Sequence, residues 1–124
     1  DEKFKTNLIR PITVINDHID KNWQPYIQTP PFPEFTSGHS VTSNAAATVL
    51  TALFGDNYKF TDKTEIPFGN DIRRFNSFYE AAYESSMSRV YGGIHYAETA
   101  RISVIQGKEI GAHVLKTLYP AAIK

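Results

Sequence analysis

The sequence has 124 residues with 13 Lys and Arg against 13 Asp and Glu, so its formal charge at pH 7 is zero. That length suits one domain at most, and the balanced charge gives no overall attraction to nucleic acid, membrane surfaces or acidic partners. There is no cysteine, which excludes disulfides, thiolate metal sites and cysteine nucleophiles, and no apolar run approaches the roughly 18 residues of a membrane span.

The first third of the chain predicts short helices followed by an irregular connection. Glu2 to Ile9 can form a helix that ends before Pro11, because proline disfavours helix in the preceding residue. A second helical piece is expected from Ile12 to about Lys21. The stretch NWQPYIQTPPFPEF contains four prolines and predicts an extended, irregular segment. A longer helix should then run from Ser40 to Phe54.

The remainder predicts a loop and two more helices. Residues 56–76 are polar and rich in turn signals, with a short hairpin expected at about 59–66. Ser77 and Glu80 have capping-box spacing and predict a helix start, with an end at Gly92-Gly93. A last helix is expected from Ala97 to about Leu118. Gly107 and Gly111 lie one turn apart within it, which indicates close approach of another element. The predicted fold is therefore all-α.

Three remote stretches carry side chains suited to an oxyanion. Lys3 and Arg10 are two helical turns apart and could point from one helix face to one place. Ser37 and Gly38 begin a predicted helix, where free N–H groups, the helix dipole and a hydroxyl favour an anion. Arg89 supplies a planar fork of donors that matches oxyanion geometry.

Two histidines accompany these donors. His39 is in the predicted first helical turn, and His95 follows the Gly92-Gly93 break. If the three stretches meet, the donors would hold the oxygens of a tetrahedral anion, with the two imidazoles on opposite sides of its central atom. One imidazole would be placed for attack on that atom and the other for proton transfer.

At these residues the chain resembles the superfamily of the type 2 phosphatidic acid phosphatases and the vanadium-dependent haloperoxidases. Its signature is K-x6-R-P, then P-S-G-H, then S-R-x5-H-x3-D. Here the signature is met by Lys3 to Pro11, by Thr36 to His39 except for threonine in place of proline, and by Ser88 to His95. The flanking residues are more similar to the bacterial haloperoxidase branch. The resemblance implies a helical bundle, with residues 1–124 as the C-terminal catalytic part of a longer domain.

The resemblance also implies roles for individual residues. Phosphate or vanadate would be bound by Lys3, Arg10, Ser37, Gly38 and Arg89. His95 would bond to the central atom, as the ligand of vanadium in a peroxidase or as the nucleophile of a phosphatase. His39 would be the general acid/base, and Phe32 would lie beside a halide or substrate. Vanadate is the implied cofactor of a peroxidase, whereas a phosphatase would need none beyond its substrate phosphate.

The third motif departs from the signature at its end. The aspartate expected four residues after His95 is replaced by Thr99, with Glu98 one place earlier. If a carboxylate orients His95, either Glu98 must reach it or a backbone carbonyl must replace it. Glu98 has a simpler interpretation as an acid that complements the helix dipole.

Three functions stay open from the sequence. The favoured one is an oxidoreductase, a vanadate-dependent peroxidase that oxidises a halide. The others are a hydrolase, a phosphomonoesterase acting through a phosphohistidine, and an inactive binding module that keeps the fold. The expected partners are a small-molecule substrate and either the rest of a longer chain or a second copy covering exposed helix faces, with no nucleic acid and no membrane span. The resemblance alone favours a periplasmic or secreted protein.

Overall fold

Three long helices form the body of the molecule, and a computed structural model describes residues 2–120. In chain order the elements are α1 (Glu2–Thr6), α2 (Pro11–His18), α3 (Gly38–Phe54), β1 (Phe60–Asp62), a 3-10 turn (Ile66–Phe68), β2 (Arg73–Phe75), α4 (Phe78–Tyr91) and α5 (Ala97–Leu118). The predicted all-α class is confirmed, with one short two-stranded sheet added. Among residues 2–120, no helix is long and apolar enough to span a bilayer.

Helices α3 and α5 pack so closely that their backbones nearly touch. A Cβ atom at Gly107 would lie 2.4 Å from the Val41 carbonyl oxygen, and one at Gly111 would lie 2.7 Å from that of Ala45. Only glycine fits at these two positions, as the sequence predicted. Glycine in a helix interior costs about 1 kcal/mol relative to alanine, and the close α3–α5 contact offsets that cost.

Helices α3 and α4 are joined largely by small polar side chains. The Asn44 amide donates to the Ser86 hydroxyl at 3.2 Å, and the Tyr79 hydroxyl donates to the Thr48 hydroxyl at 3.0 Å. The buried residues of α3 are Ser40, Asn44 and Ala47. The buried side chains of Ser40, Asn44 and Ser86 are all hydrogen-bonded, so this interface can be buried without a large apolar surface. This interface fixes the orientation of α3, whose first turn carries the second motif.

The first two helices are shorter than predicted. Helix α1 ends at Thr6 because Asn7 takes a left-handed conformation with φ of 48°, which asparagine tolerates better than most residues. Helix α2 begins at Pro11, a favoured first residue of a helix. Between them the chain meets the proline-rich segment, where the Glu34 N–H donates to the Leu8 carbonyl at 2.8 Å. The first motif is therefore fixed against the residues just before the second.

The small sheet differs from the expected hairpin. Strand β1 lies within the predicted range of 59–66, but its antiparallel partner is β2, with Phe60 opposite Phe75. The loop between the strands includes the 3-10 turn, so the hairpin extends to Phe75 and its loop is longer than predicted. Helix α4 begins as expected, with the Ser77 hydroxyl accepting from Glu80 N–H at 3.0 Å. The Glu80 carboxylate, however, accepts from Asn76 rather than Ser77, so only half of the capping box forms.

Candidate functional site

The two cations of the first motif reach the site from separate elements, because the chain leaves the helical conformation between Lys3 and Arg10. Lys3 is in α1, whereas Arg10 immediately precedes α2, so the predicted shared face is wrong. The Lys3 ammonium donates to the Thr36 carbonyl at 2.6 Å and to those of Glu34 at 3.1 Å and Pro33 at 3.3 Å. These three bonds use all three ammonium protons. Lys3 therefore fixes the loop before the second motif and adds positive charge beside it.

Arg10 joins the first motif to the third. It is 5% exposed, and its guanidinium donates to the Phe32 carbonyl at 3.0 Å and to the Ile94 carbonyl at 2.8 Å. One of its terminal nitrogens also lies 3.4 Å from Nε2 of His95. A single buried cation thus contacts two segments that are far apart in the sequence and one of the two predicted imidazoles.

The Phe32 ring lies against both cations of the first motif. The Lys3 ammonium is 5.0 Å and the Arg10 guanidinium 5.2 Å from the ring centroid, within the range of cation–π attraction. The ring remains 42% exposed. Phe32 therefore presents a partly exposed apolar ring beside two cations.

The second motif begins helix α3 with free donors. Ser37 is fully buried, and its hydroxyl oxygen accepts from the Ser40 hydroxyl at 2.8 Å and from Ser40 N–H at 3.4 Å, so its own proton can be donated. Within residues 2–120, no acceptor takes the N–H groups of Gly38 and His39. Capping and anion binding are therefore compatible at this turn, because Ser37 caps the helix as an acceptor and keeps its own hydroxyl proton for donation.

The third motif forms a tight turn that puts Arg89 and His95 together. The N–H groups of Ile94 and His95 both donate to the Arg89 carbonyl at 3.2 Å. The turn requires Gly93, which has φ of 78° and packs directly under Trp23, where a Cβ would lie 2.7 Å from the indole ring. His95 is buried, with 7% of its surface exposed. The five-residue spacing between arginine and histidine thus has a direct structural cause.

A glutamate that the sequence analysis did not single out binds His95. Glu34 is fully buried, and one of its carboxylate oxygens lies 2.6 Å from Nδ1 of His95 and accepts from Tyr96 N–H at 3.1 Å. Its other oxygen accepts from the Thr99 hydroxyl at 2.8 Å. Neither alternative considered for orienting His95 is correct, because Glu98 is exposed and paired with Arg101. The available signal was an acidic residue within the proline-rich run directly before the second motif.

Burial and charge shift the acid–base equilibria of the site. Burial lowers the pKa of Lys3, Arg10 and Arg89, and the proximity of Arg10 lowers that of Lys3 further. Burial would raise the pKa of Glu34, but hydrogen bonds from His95, Thr99 and Tyr96 together outweigh it and hold that pKa below its usual value. The site is a concentration of positive charge with one buried carboxylate behind it.

His39 lies at the edge of this charge. Its pKa is lowered first by partial burial and then by the nearby Arg89 guanidinium and His95 ring. The neutral imidazole, which can accept a proton, is therefore the favoured form near neutral pH. His39 also lines a cavity of about 660 Å³ that is bounded by the β1–β2 hairpin and α4. It is the site histidine that a molecule entering from this cavity would meet.

The site as a whole has unused donors. The Nε atom of Arg89 is buried without any hydrogen-bond partner, which is costly unless a ligand supplies one. Together with the Ser37 hydroxyl and the two free N–H groups of α3, it suits an oxyanion. Among the described residues 2–120, no three His, Cys, Asp or Glu side chains cluster as a metal site.

One protein-family model and two solved structures of vanadium-dependent peroxidases are similar to this chain. The model of one protein family, the VCPO second helical-bundle domain, matches residues 1–120. A bacterial vanadium-dependent iodoperoxidase structure is 57% identical with a TM-score of 0.91, covering 96% of this chain. A bacterial vanadium-dependent chloroperoxidase in its holo form has 15% identity, a TM-score of 0.79 and 99% coverage of this chain. The chain spans 29% and 33% of these two proteins, respectively. The search of curated proteins gave no match.

Proposed function

The chain belongs to the family of the VCPO second helical-bundle domain, within the vanadium haloperoxidase superfamily, and from this premise we propose that it is the catalytic part of a vanadate-dependent haloperoxidase. The proposed reaction is the oxidation of a halide by peroxide. Iodide is the first halide to test, because the relative with 57% identity is described as an iodoperoxidase. The observation that carries the proposal is the buried Arg89 Nε, which has no hydrogen-bond partner among the described residues.

The anion would be held by residues of all three motifs. Arg89 and the free N–H groups at Gly38 and His39 have unused donors, and the Ser37 hydroxyl adds another. Arg10 has used only part of its five N–H donors on carbonyls. Lys3 would contribute chiefly its charge, because its protons are already donated to the loop that it fixes.

The two imidazoles would divide the chemistry. Nδ1 of His95 is held by Glu34, whereas Nε2 has only a long 3.4 Å contact with the Arg10 guanidinium, which it would exchange for a bond to the central atom of the anion. Bound vanadate would supply a Lewis acid that activates peroxide toward the halide. His39, kept neutral by its surroundings, would accept and return the proton of the peroxide. The exposed Phe32 ring, polarised by two cations, would border the halide.

We also propose that these residues are the C-terminal catalytic part of a longer protein. The chain spans 29% of the iodoperoxidase that it resembles. Apolar side chains on one side of α5 are well exposed, at 38% for Ile102, 46% for Ile105 and 42% for Ile110. Other parts of the longer chain would cover them. The mass of the natural protein, compared with 14.0 kDa for these residues, tests this directly.

The activity is tested on the complete natural protein after vanadate has been removed. Oxidation of iodide by hydrogen peroxide is measured before and after vanadate is added back, and phosphate release from an aromatic phosphate ester is measured in parallel. Activity that depends on vanadate supports the proposal. Phosphate release that vanadate inhibits, without halide oxidation, would make the protein a phosphomonoesterase with His95 as nucleophile. Inactivity in both assays would leave only a binding module.

A further inference from the structure

The His95 ring is held at both nitrogens by groups with a fixed hydrogen-bonding character. Nδ1 lies 2.6 Å from the Glu34 carboxylate, and Nε2 lies 3.4 Å from a terminal nitrogen of Arg10. The Glu34 carboxylate receives two further donors, from Thr99 and Tyr96, which favours its ionised form. An ionised carboxylate can only accept hydrogen bonds and a guanidinium can only donate them. The proton of the neutral ring must therefore be on Nδ1, with the lone pair on Nε2.

We propose that Glu34 is the positioning residue of His95, and that Thr99 fixes Glu34 for this role. Glu34 holds the proton on Nδ1 and leaves Nε2 unprotonated, so that its lone pair can exchange the long contact with Arg10 for a bond to the central atom of the oxyanion. The inference rests on the proposed function, since it concerns the same anion site. Thr99 occupies the place where the three-part signature has aspartate. The carboxylate thus comes from the segment before the second motif, and Thr99 acts as its donor.

Glu34 is held rigidly enough for this role. Its N–H donates to the Leu8 carbonyl at 2.8 Å, and its carbonyl accepts from the Lys3 ammonium at 3.1 Å. Both of its carboxylate oxygens have donors, and the side chain is fully buried. A buried carboxylate bonded to the far nitrogen of an imidazole fixes the ring orientation and increases the basicity of the other nitrogen. Loss of this charge should therefore weaken bonding to the anion even if the ring stays in place.

The nearest alternative carboxylate in the sequence provides a matched control. Glu98 precedes Thr99 directly, but it lies on the surface and binds Arg101 through both oxygens, at 2.7 and 2.8 Å. Glu98→Gln makes the same change from acid to amide one residue away from the site cluster. Any general effect of removing a negative charge from this end of α5 should appear in this variant as well.

The first test is the tautomer of His95 in the wild-type protein. The complete natural protein, labelled with 15N-histidine and free of vanadate, is studied by NMR, and the His95 signals are assigned by their loss in His95→Ala. The expected result is a ring protonated at Nδ1 with an unprotonated Nε2. A ring protonated only at Nε2 would overturn the inference. This measurement requires neither vanadate binding nor a variant of Glu34, so it decides the point even if the proposed function fails.

The second test is vanadate affinity, measured by calorimetric titration. Glu34→Gln is expected to weaken binding by about 10- to 100-fold, as is typical for loss of such a partner, while Glu98→Gln stays within about twofold. Adding Thr99→Asp to Glu34→Gln should recover most of the loss, because it returns a carboxylate to the same cluster. A Glu34→Gln protein that melts normally and binds vanadate as tightly as wild type would refute the inference. Wild-type protein that binds no vanadate would refute the proposed function instead.

Discussion

Replacement of Gly107 by alanine tests whether α3 and α5 are as close as described. The new Cβ would lie 2.4 Å from the Val41 carbonyl oxygen and 3.0 Å from the Asn44 Cβ. The obstacle is backbone, so restoring an ordinary contact of 3.4 Å requires the helices to separate locally by about 1 Å. Overpacking against backbone, which cannot rotate away, falls in the upper part of its usual range, at about 2–3 kcal/mol, and the better helix propensity of alanine returns about 1 kcal/mol. We therefore expect a net loss of about 1–2 kcal/mol in the free energy of unfolding.

Gly107→Ala should also displace donors of the anion site. One turn before Gly107, the Ser103 hydroxyl accepts from the Ser37 N–H at 2.9 Å and so ties α5 to the start of α3. A displacement of about 1 Å moves the donors at the start of α3 out of position, so vanadate affinity should fall as well. Denaturant unfolding and vanadate titration of the complete protein measure both effects, with the exposed Glu109→Ala substitution on α5 as control. A Gly107→Ala protein as stable as wild type, with unchanged vanadate affinity, would refute the close packing.

Three further predictions concern the site. His39→Ala should slow turnover by about 100-fold or more while vanadate affinity stays nearly unchanged; loss of binding instead would contradict its role in proton transfer. Because burial and then the charge of Arg89 lower the pKa of His39, an NMR titration of the vanadate-free protein should give a value below 6.5, and Arg89→Gln should raise it part of the way back; an increase above the ordinary value, or no change, would contradict this cause. Ser103→Ala leaves the buried Ser37 N–H without its acceptor and should destabilise the protein by about 1–3 kcal/mol in denaturant unfolding, whereas unchanged stability would mean that this bond contributes nothing.

Local signals in the sequence predicted the helices of the body well. Ser77 before α4, Gly55 after α3 and Pro120 after α5 mark boundaries within a few residues of those found. Gly107 correctly indicated a close helix contact, because a glycine inside a helix needs a compensating reason. The hairpin was predicted with too short a loop, since the pairing of Phe60 with Phe75 depends on tertiary packing and not on a turn motif.

The site could be predicted by residue type but not by geometry. The left-handed Asn7 breaks the first helix, so Lys3 and Arg10 approach the site from separate elements and not from one face. The bond from Glu34 to His95 joins residues 61 positions apart, and no local pattern encodes such a contact. The spacing in the signature directed attention to position 99, where a carboxylate was expected. The acid itself came from a segment whose prolines indicated only an irregular connection.

The most direct test is a crystal structure of the complete natural protein with orthovanadate, using anomalous scattering to locate vanadium. A single vanadium is expected on Nε2 of His95, with its oxygens within hydrogen-bonding distance of Arg89, Ser37 and the N–H groups that begin α3. Vanadium bonded through Nδ1, bound at another surface, or absent from this cluster at saturating vanadate would contradict the account.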